Sequence, residues 1–178
     1  MVELQIRIKK IVWQWISEIG PEVIWESDKR INLIQMENGY GKTTTLGLIV
    51  SIFTGILPDT NIITKHLAPK GTDLGLHSGE VGKFEVTLDI NGYITVIGIE
   101  IDHNKNKAKF YTNNISGNED GWHPPESFKN AFKNNESLVK LTILDAEMAE
   151  KVNAEMGGEV VKDAIMKLSN LDPLNNLC

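Results

Sequence analysis

The residues best suited to chemistry lie in one short stretch, Glu37-Asn38-Gly39-Tyr40-Gly41-Lys42-Thr43-Thr44. Its glycines let the backbone curl until successive N–H groups face a single anion. Lys42 would carry an ammonium to the terminal phosphates of a nucleotide, and the Thr43 hydroxyl would sit on Mg²⁺. A helix opening at this point would add its positive dipole end and first-turn amides to the same anion. The match to G-x-x-x-x-G-K-[ST] is incomplete, because Met36 stands at the first glycine position. A chance Gly-Lys-Thr in an ordinary strand–turn–helix is the plain alternative.

The elements around the loop are those such a motif needs. An apolar, strand-like run, Ile31 to Met36, leads in, and Leu46, Ile49, Val50 and Phe53 follow at helical spacing. Gly47 inside that helix predicts close packing against a neighbour, and Gly55 is placed to end it. Upstream, Val2, Leu4, Ile6 and Ile8 alternate with polar residues, and the alternation resumes one residue out of step at Ile11, Trp13 and Trp15. A bulge near Lys9-Lys10 would keep both halves on one core. Val23 and Trp25 predict a short returning strand. A small nucleotide kinase usually begins with its P-loop strand, whereas here about thirty residues of antiparallel β-structure come first. The early tryptophans read as core residues, with a base or DNA contact as the sharper reading.

Downstream, 56–82 has glycines, prolines and no sustained period, and reads as a long excursion with a short helix. Phe84, Val86, Leu88 and Ile90 alternate, Asn91-Gly92 signals a hairpin, and strands are expected over 93–101 and about 107–112. The span 113–125 is polar and reads as a surface loop. Glu126 to Asn134 predicts a short helix with Phe128 and Phe132 on one side, and Leu138 to Leu144 a buried strand. Helices are expected over 146–155 and 159–170.

A second polar constellation stands at the end of that last strand, Asp145-Ala146-Glu147. A P-loop fold places carboxylates there, near Mg²⁺ or an attacking water. Asp145 reads as a Walker B-like metal residue with Glu147 orienting water. Alternatively the segment presents a side chain to Mg²⁺ from the first lobe of a two-lobed head, or is simply a solvated strand end. Asp89-Ile90-Asn91-Gly92 fits the D-x-x-G of GTPases only formally, because it coincides with the hairpin turn. Lys105, Lys107 and Lys109 form a basic cluster that reads as a solvated turn, with DNA backbone contact as the alternative. The four histidines lack metal-ligand spacing.

Composition bounds the rest. The 178 residues suit one domain with a real core, and 41% apolar and 24% charged residues are ordinary for a globular protein. A net charge of −6 argues against coating nucleic acid over the whole surface. The lone cysteine, Cys178, fits a reducing cytoplasm, and no run has the length of a membrane span.

The combined pattern resembles the N-terminal lobe of SMC-like and RecF-like ABC-type ATPase heads, especially the DndD and double-strand-break repair branch. The resemblance is carried by the N-terminal β-hairpin, by Glu37 to Thr44 as x-N-G-x-G-K-[ST]-[TN], by the meander from Phe84 to Thr112, and by Leu141 to Lys151. It implies an α/β (α+β) fold: a P-loop NTPase core with a mixed sheet and an antiparallel β-subdomain at about 81–112. Residues 1–178 would form one lobe, its helices at 146–171 leading toward a coiled coil. It further implies that ATP and Mg²⁺ bind at Glu37, Asn38, Gly39, Tyr40, Gly41, Lys42, Thr43 and Thr44. Asp145 or Glu147 would stand in for the family's Q-loop glutamine. Hydrolysis would need a C-terminal lobe or partner subunit and an ATP-dependent head dimer acting on DNA. The signature L-S-G-G-Q loop of that lobe has only a poor imitation at Leu76-His77-Ser78-Gly79-Glu80, so the chain reads as a first lobe without its second. The other expectations are a self-contained P-loop phosphotransferase and a non-catalytic interaction module with a vestigial loop.

Overall fold

The computed structural model describes residues 4–16, 23–27, 41–63, 67, 81–114, 117–133, 135 and 138–139. Its centre is β3 (Val81–Ile90), whose apolar residues alternate strictly, so that Phe84, Val86, Leu88 and Ile90 all face inward. Asn91 (φ 53°) and Gly92 (φ 85°) close a two-residue turn into β4 (Tyr93–Asp102). Positive φ at both positions is what a type I′ hairpin requires. The Asp89 carboxylate accepts from the Gly92 N–H at 2.8 Å, which makes Asp89 a turn cap. β5 (Lys107–Asn114) continues the meander.

β1 (Ile6–Gln14) lies on the other side of β3, and β2 (Val23–Glu26) returns antiparallel against β1. The β1–β3 register shifts between Ile8 and Lys10, so Lys9 is the extra residue of a bulge. That shift changes the parity of the strand, and Ile6 and Ile8 face the same core as Ile11 and Trp13. Trp15 does not continue the series. Its φ of 52° turns the chain at the strand end, and Ile16 is buried instead.

The expected loop at 113–125 is corrected. Asn113 and Asn114 extend β5, and β6 (Gly117–Asp120) pairs with it as an edge strand. Every β6 residue is exposed, so no apolar alternation marks it. The described strands make one six-stranded sheet in the order β2-β1-β3-β4-β5-β6, antiparallel at every described pairing; the strand expected at 31–36, on which a mixed sheet depends, lies outside the described residues. The meander shares its sheet with the N-terminal hairpin. The class is α+β.

Helix α1 (Lys42–Thr54) packs across β3 and β4 and buries Leu48, Ile49, Ile52 and Phe53. Threonines and other β-branched residues make it a poor autonomous helix, so docking on the sheet holds it together. Gly55 (φ 73°) ends it, returning its N–H to the Ser51 carbonyl at 2.9 Å. Gly47 is exposed, and among the described residues no atom lies within 4 Å of where its Cβ would stand, so no described neighbour packs closely there. A short helix, α2 (Thr60–Ile62), follows, with Asp59 capping it through the Ile62 N–H. Helix α3 (Glu126–Phe132) brings Phe128 and Phe132 against Phe53, ring centroids 5.0 to 5.2 Å apart. Leu138 and Val139 are buried, but their backbone is helical rather than the start of a strand. The rest of the strand expected at 138–144 lies outside the described residues. Among the described residues no helix is long and apolar enough to cross a membrane.

The sheet face away from α1 is polar. There Tyr111 of β5 lies over Gly98 of β4 and donates its hydroxyl to Glu85 of β3. Gly98 is required, since any Cβ would collide with the tyrosine ring. Burial, and then the Glu85 hydrogen bond, raise the Tyr111 pKa well above the usual phenol range.

Candidate functional site

The site is organised by the first turn of α1. Gly41 precedes it with φ 86° and ψ 29°, a left-handed conformation that favours glycine strongly over residues with a Cβ. Lys42 then opens the right-handed helix, and the Thr45 N–H closes the first turn on the Gly41 carbonyl at 2.8 Å. A left-handed residue directly before right-handed ones is the alternation that turns neighbouring amides to one side. Gly41 offers no side-chain cap, and the first turn has no acidic residue. The positive end of the helix dipole is thus not neutralised from within its own turn.

The side chains of the turn diverge. Lys42 and Thr43 are exposed, Thr44 is half-buried, and Thr45 is buried. An ammonium and a hydroxyl therefore stand at the polar end of a helix whose other face is sealed in the core. Thr45 receives the indole N–H of Trp13 at 3.1 Å, which ties the turn to β1.

No protein-family model matches the chain, and no curated protein is significantly similar to it.

Of the expected site residues, Gly41, Lys42, Thr43 and Thr44 are contiguous at this helix end. Glu37, Asn38, Gly39 and Tyr40 lie outside the described residues, as do Asp145 and Glu147. Of the two groups expected at Mg²⁺, Thr43 is therefore described and Asp145 is not. The Trp13–Thr45 bond was not foreseen. The residues are 32 apart in sequence, and the strand pattern marks Trp13 only as a core residue.

The other charged features resolve into local structure. Lys105 donates to Asp102 at 2.9 Å, and this bond lowers the Asp102 pKa. Lys109 pairs with Glu100 at 3.4 Å and with Asp120 at 4.0 Å. The basic cluster is thus interleaved with carboxylates, which favours the solvated turn over a DNA-backbone contact. His103 is engaged with the Trp15 carbonyl at 3.0 Å and His123 with the Asp120 carbonyl at 2.9 Å. Among the described residues no three His, Cys, Asp or Glu side chains gather into a metal site.

Proposed function

We propose that this chain binds ATP·Mg²⁺ as the N-terminal lobe of an SMC-like ATPase head acting on DNA, in repair, maintenance or defence against foreign DNA. The observation that carries the reading is the left-handed Gly41 immediately before a helix that opens at Lys42. It coincides with the Gly-Lys-Thr of the sequence motif, and a left-handed glycine before a helix start supports reading that triplet as the end of a phosphate loop. In this reading first-turn amides and the Lys42 ammonium hold the phosphates, and the Thr43 hydroxyl ligates the metal. Bound Mg²⁺ supplies charge neutralisation between phosphate oxygens. Asp145 would provide a further metal contact and Glu147 would orient water. A second lobe and a head dimer complete the hydrolytic site, so the isolated chain binds nucleotide without steady turnover.

The sheet supports the head over the self-contained phosphotransferase. β1 and β2 precede the loop and share a sheet with β3–β6, whereas a small kinase usually begins with its P-loop strand. The test is titration of the chain with a fluorescent ATP analogue, with and without Mg²⁺, alongside Lys42→Ala. Saturable binding in the parent and its loss in the variant are expected. Equal binding by both removes the site assignment, steady ATP turnover by the chain alone favours the phosphotransferase, and no nucleotide-dependent thermal shift favours the vestigial module.

A further inference from the structure

We infer that Trp13 is a positioning residue of the nucleotide site: its indole N–H fixes the first turn of α1, and so the presentation of Gly41 to Thr44, against strand β1. This rests on reading those residues as a phosphate-binding loop. Trp13 and Thr45 are buried, at 2% and 4% exposure, and the 3.1 Å bond between them is shielded from water. Thr45 is held from two directions. Its hydroxyl accepts from the sheet and its amide donates to the Gly41 carbonyl at 2.8 Å. A displacement of Trp13 therefore reaches Gly41 through a single residue.

The donor is itself packed into the sheet. Trp13 pairs with Val23 of β2 and Phe84 of β3, and its ring meets the Phe84 ring edge-on at 5.9 Å between centroids. Phosphate recognition by backbone amides depends on tenths of an ångström in donor position, so such an anchor bears on affinity as well as on folding.

The molecule contains its own control. At the far end of the same helix the Trp122 indole donates to the Ile52 carbonyl at 2.7 Å, and its ring lies against Gly55. Both bonds hold α1 with an indole N–H, but only the Trp13 bond is made by the first turn.

The experiment compares the parent chain with Trp13→Phe, Thr45→Val, Thr45→Ser and Trp122→Phe. Each is measured for Kd with a fluorescent ATP analogue and for thermal midpoint. Trp13→Phe and Thr45→Val remove opposite partners of one bond, and each should weaken binding about three- to tenfold. Thr45→Ser keeps the hydroxyl and should bind within about twofold of the parent. Trp122→Phe should lower the midpoint as much as Trp13→Phe does, yet leave Kd within about twofold. Parental affinity in both Trp13→Phe and Thr45→Val overturns the positioning role, and so does equal weakening by Trp122→Phe. If Trp13→Phe does not fold, Thr45→Val decides. A parent chain that binds no nucleotide fails the underlying reading instead, a result the parent titration shows by itself.

Discussion

The two ends of α1 are built to opposite specifications. At the start, a left-handed glycine, an exposed lysine and an exposed threonine leave a polar surface with no acidic residue in the turn. At the finish, Gly55 returns the chain, Trp122 covers it, and Phe53, Phe128 and Phe132 seal the last turns into the core. A helix end optimised only for stability would carry a side-chain cap and an acidic first turn. The N-terminal end has neither, whereas the C-terminal end is closed by its glycine and covered by Trp122. The contrast separates the end of the helix that is sealed into the core from the end that presents polar side chains.

Substitutions should divide the same way. Phe128→Ala opens a cavity in the aromatic cluster and should cost about 3–5 kcal/mol in denaturant unfolding. Any affinity it loses should follow from the unfolded fraction alone. Gly55→Ala forces a Cβ into a left-handed residue and to 2.8 Å from the Trp122 ring. A loss of about 1–3 kcal/mol by the same measurement is expected. Lys42→Ala should do the reverse, weakening nucleotide binding at least about tenfold while the thermal midpoint stays put. A midpoint that falls with Lys42→Ala would break the contrast.

Alkaline pH probes the sheet beneath both ends. Tyr111 holds its proton more tightly folded than unfolded, so its contribution is complete below the ordinary phenol pKa of about 10. Stability should fall as pH rises beyond that value, and Tyr111→Phe should flatten this dependence in pH-jump unfolding. The smallest effect is expected midway along α1. Gly47 is exposed with no described neighbour, so Gly47→Ala should stabilise by about 0.5–1 kcal/mol through helix propensity and leave both ends unchanged.

Much of the architecture was legible locally. The parity change at Lys9, the Asn91-Gly92 hairpin, the Gly55 stop and the Phe128–Phe132 face all follow from patterns within a few residues. What escaped has a common cause. β6 is exposed along its whole length, so its strand character comes from pairing with β5 and leaves no period in the sequence. At Leu138 and Val139 an apolar run reads equally as buried strand or buried turn, and the Val139 amide settles on the Asn135 carbonyl at 3.2 Å. At Gly47 no described residue approaches, and a glycine in a helix signals close packing only where a neighbour does.

The same division holds for the site. The identities of Gly41, Lys42 and Thr43 define a polar, cationic turn, because glycine alone adopts that backbone readily and lysine and threonine carry the needed groups. Their chain neighbours establish that a helix follows. Which strand the turn leans on depends on a contact between residues far apart in sequence, and no local propensity encodes it. The sheet order that puts β1 beside β3 brings the Trp13 indole under Thr45. Tertiary packing, through that one buried hydrogen bond, decides where the turn stands.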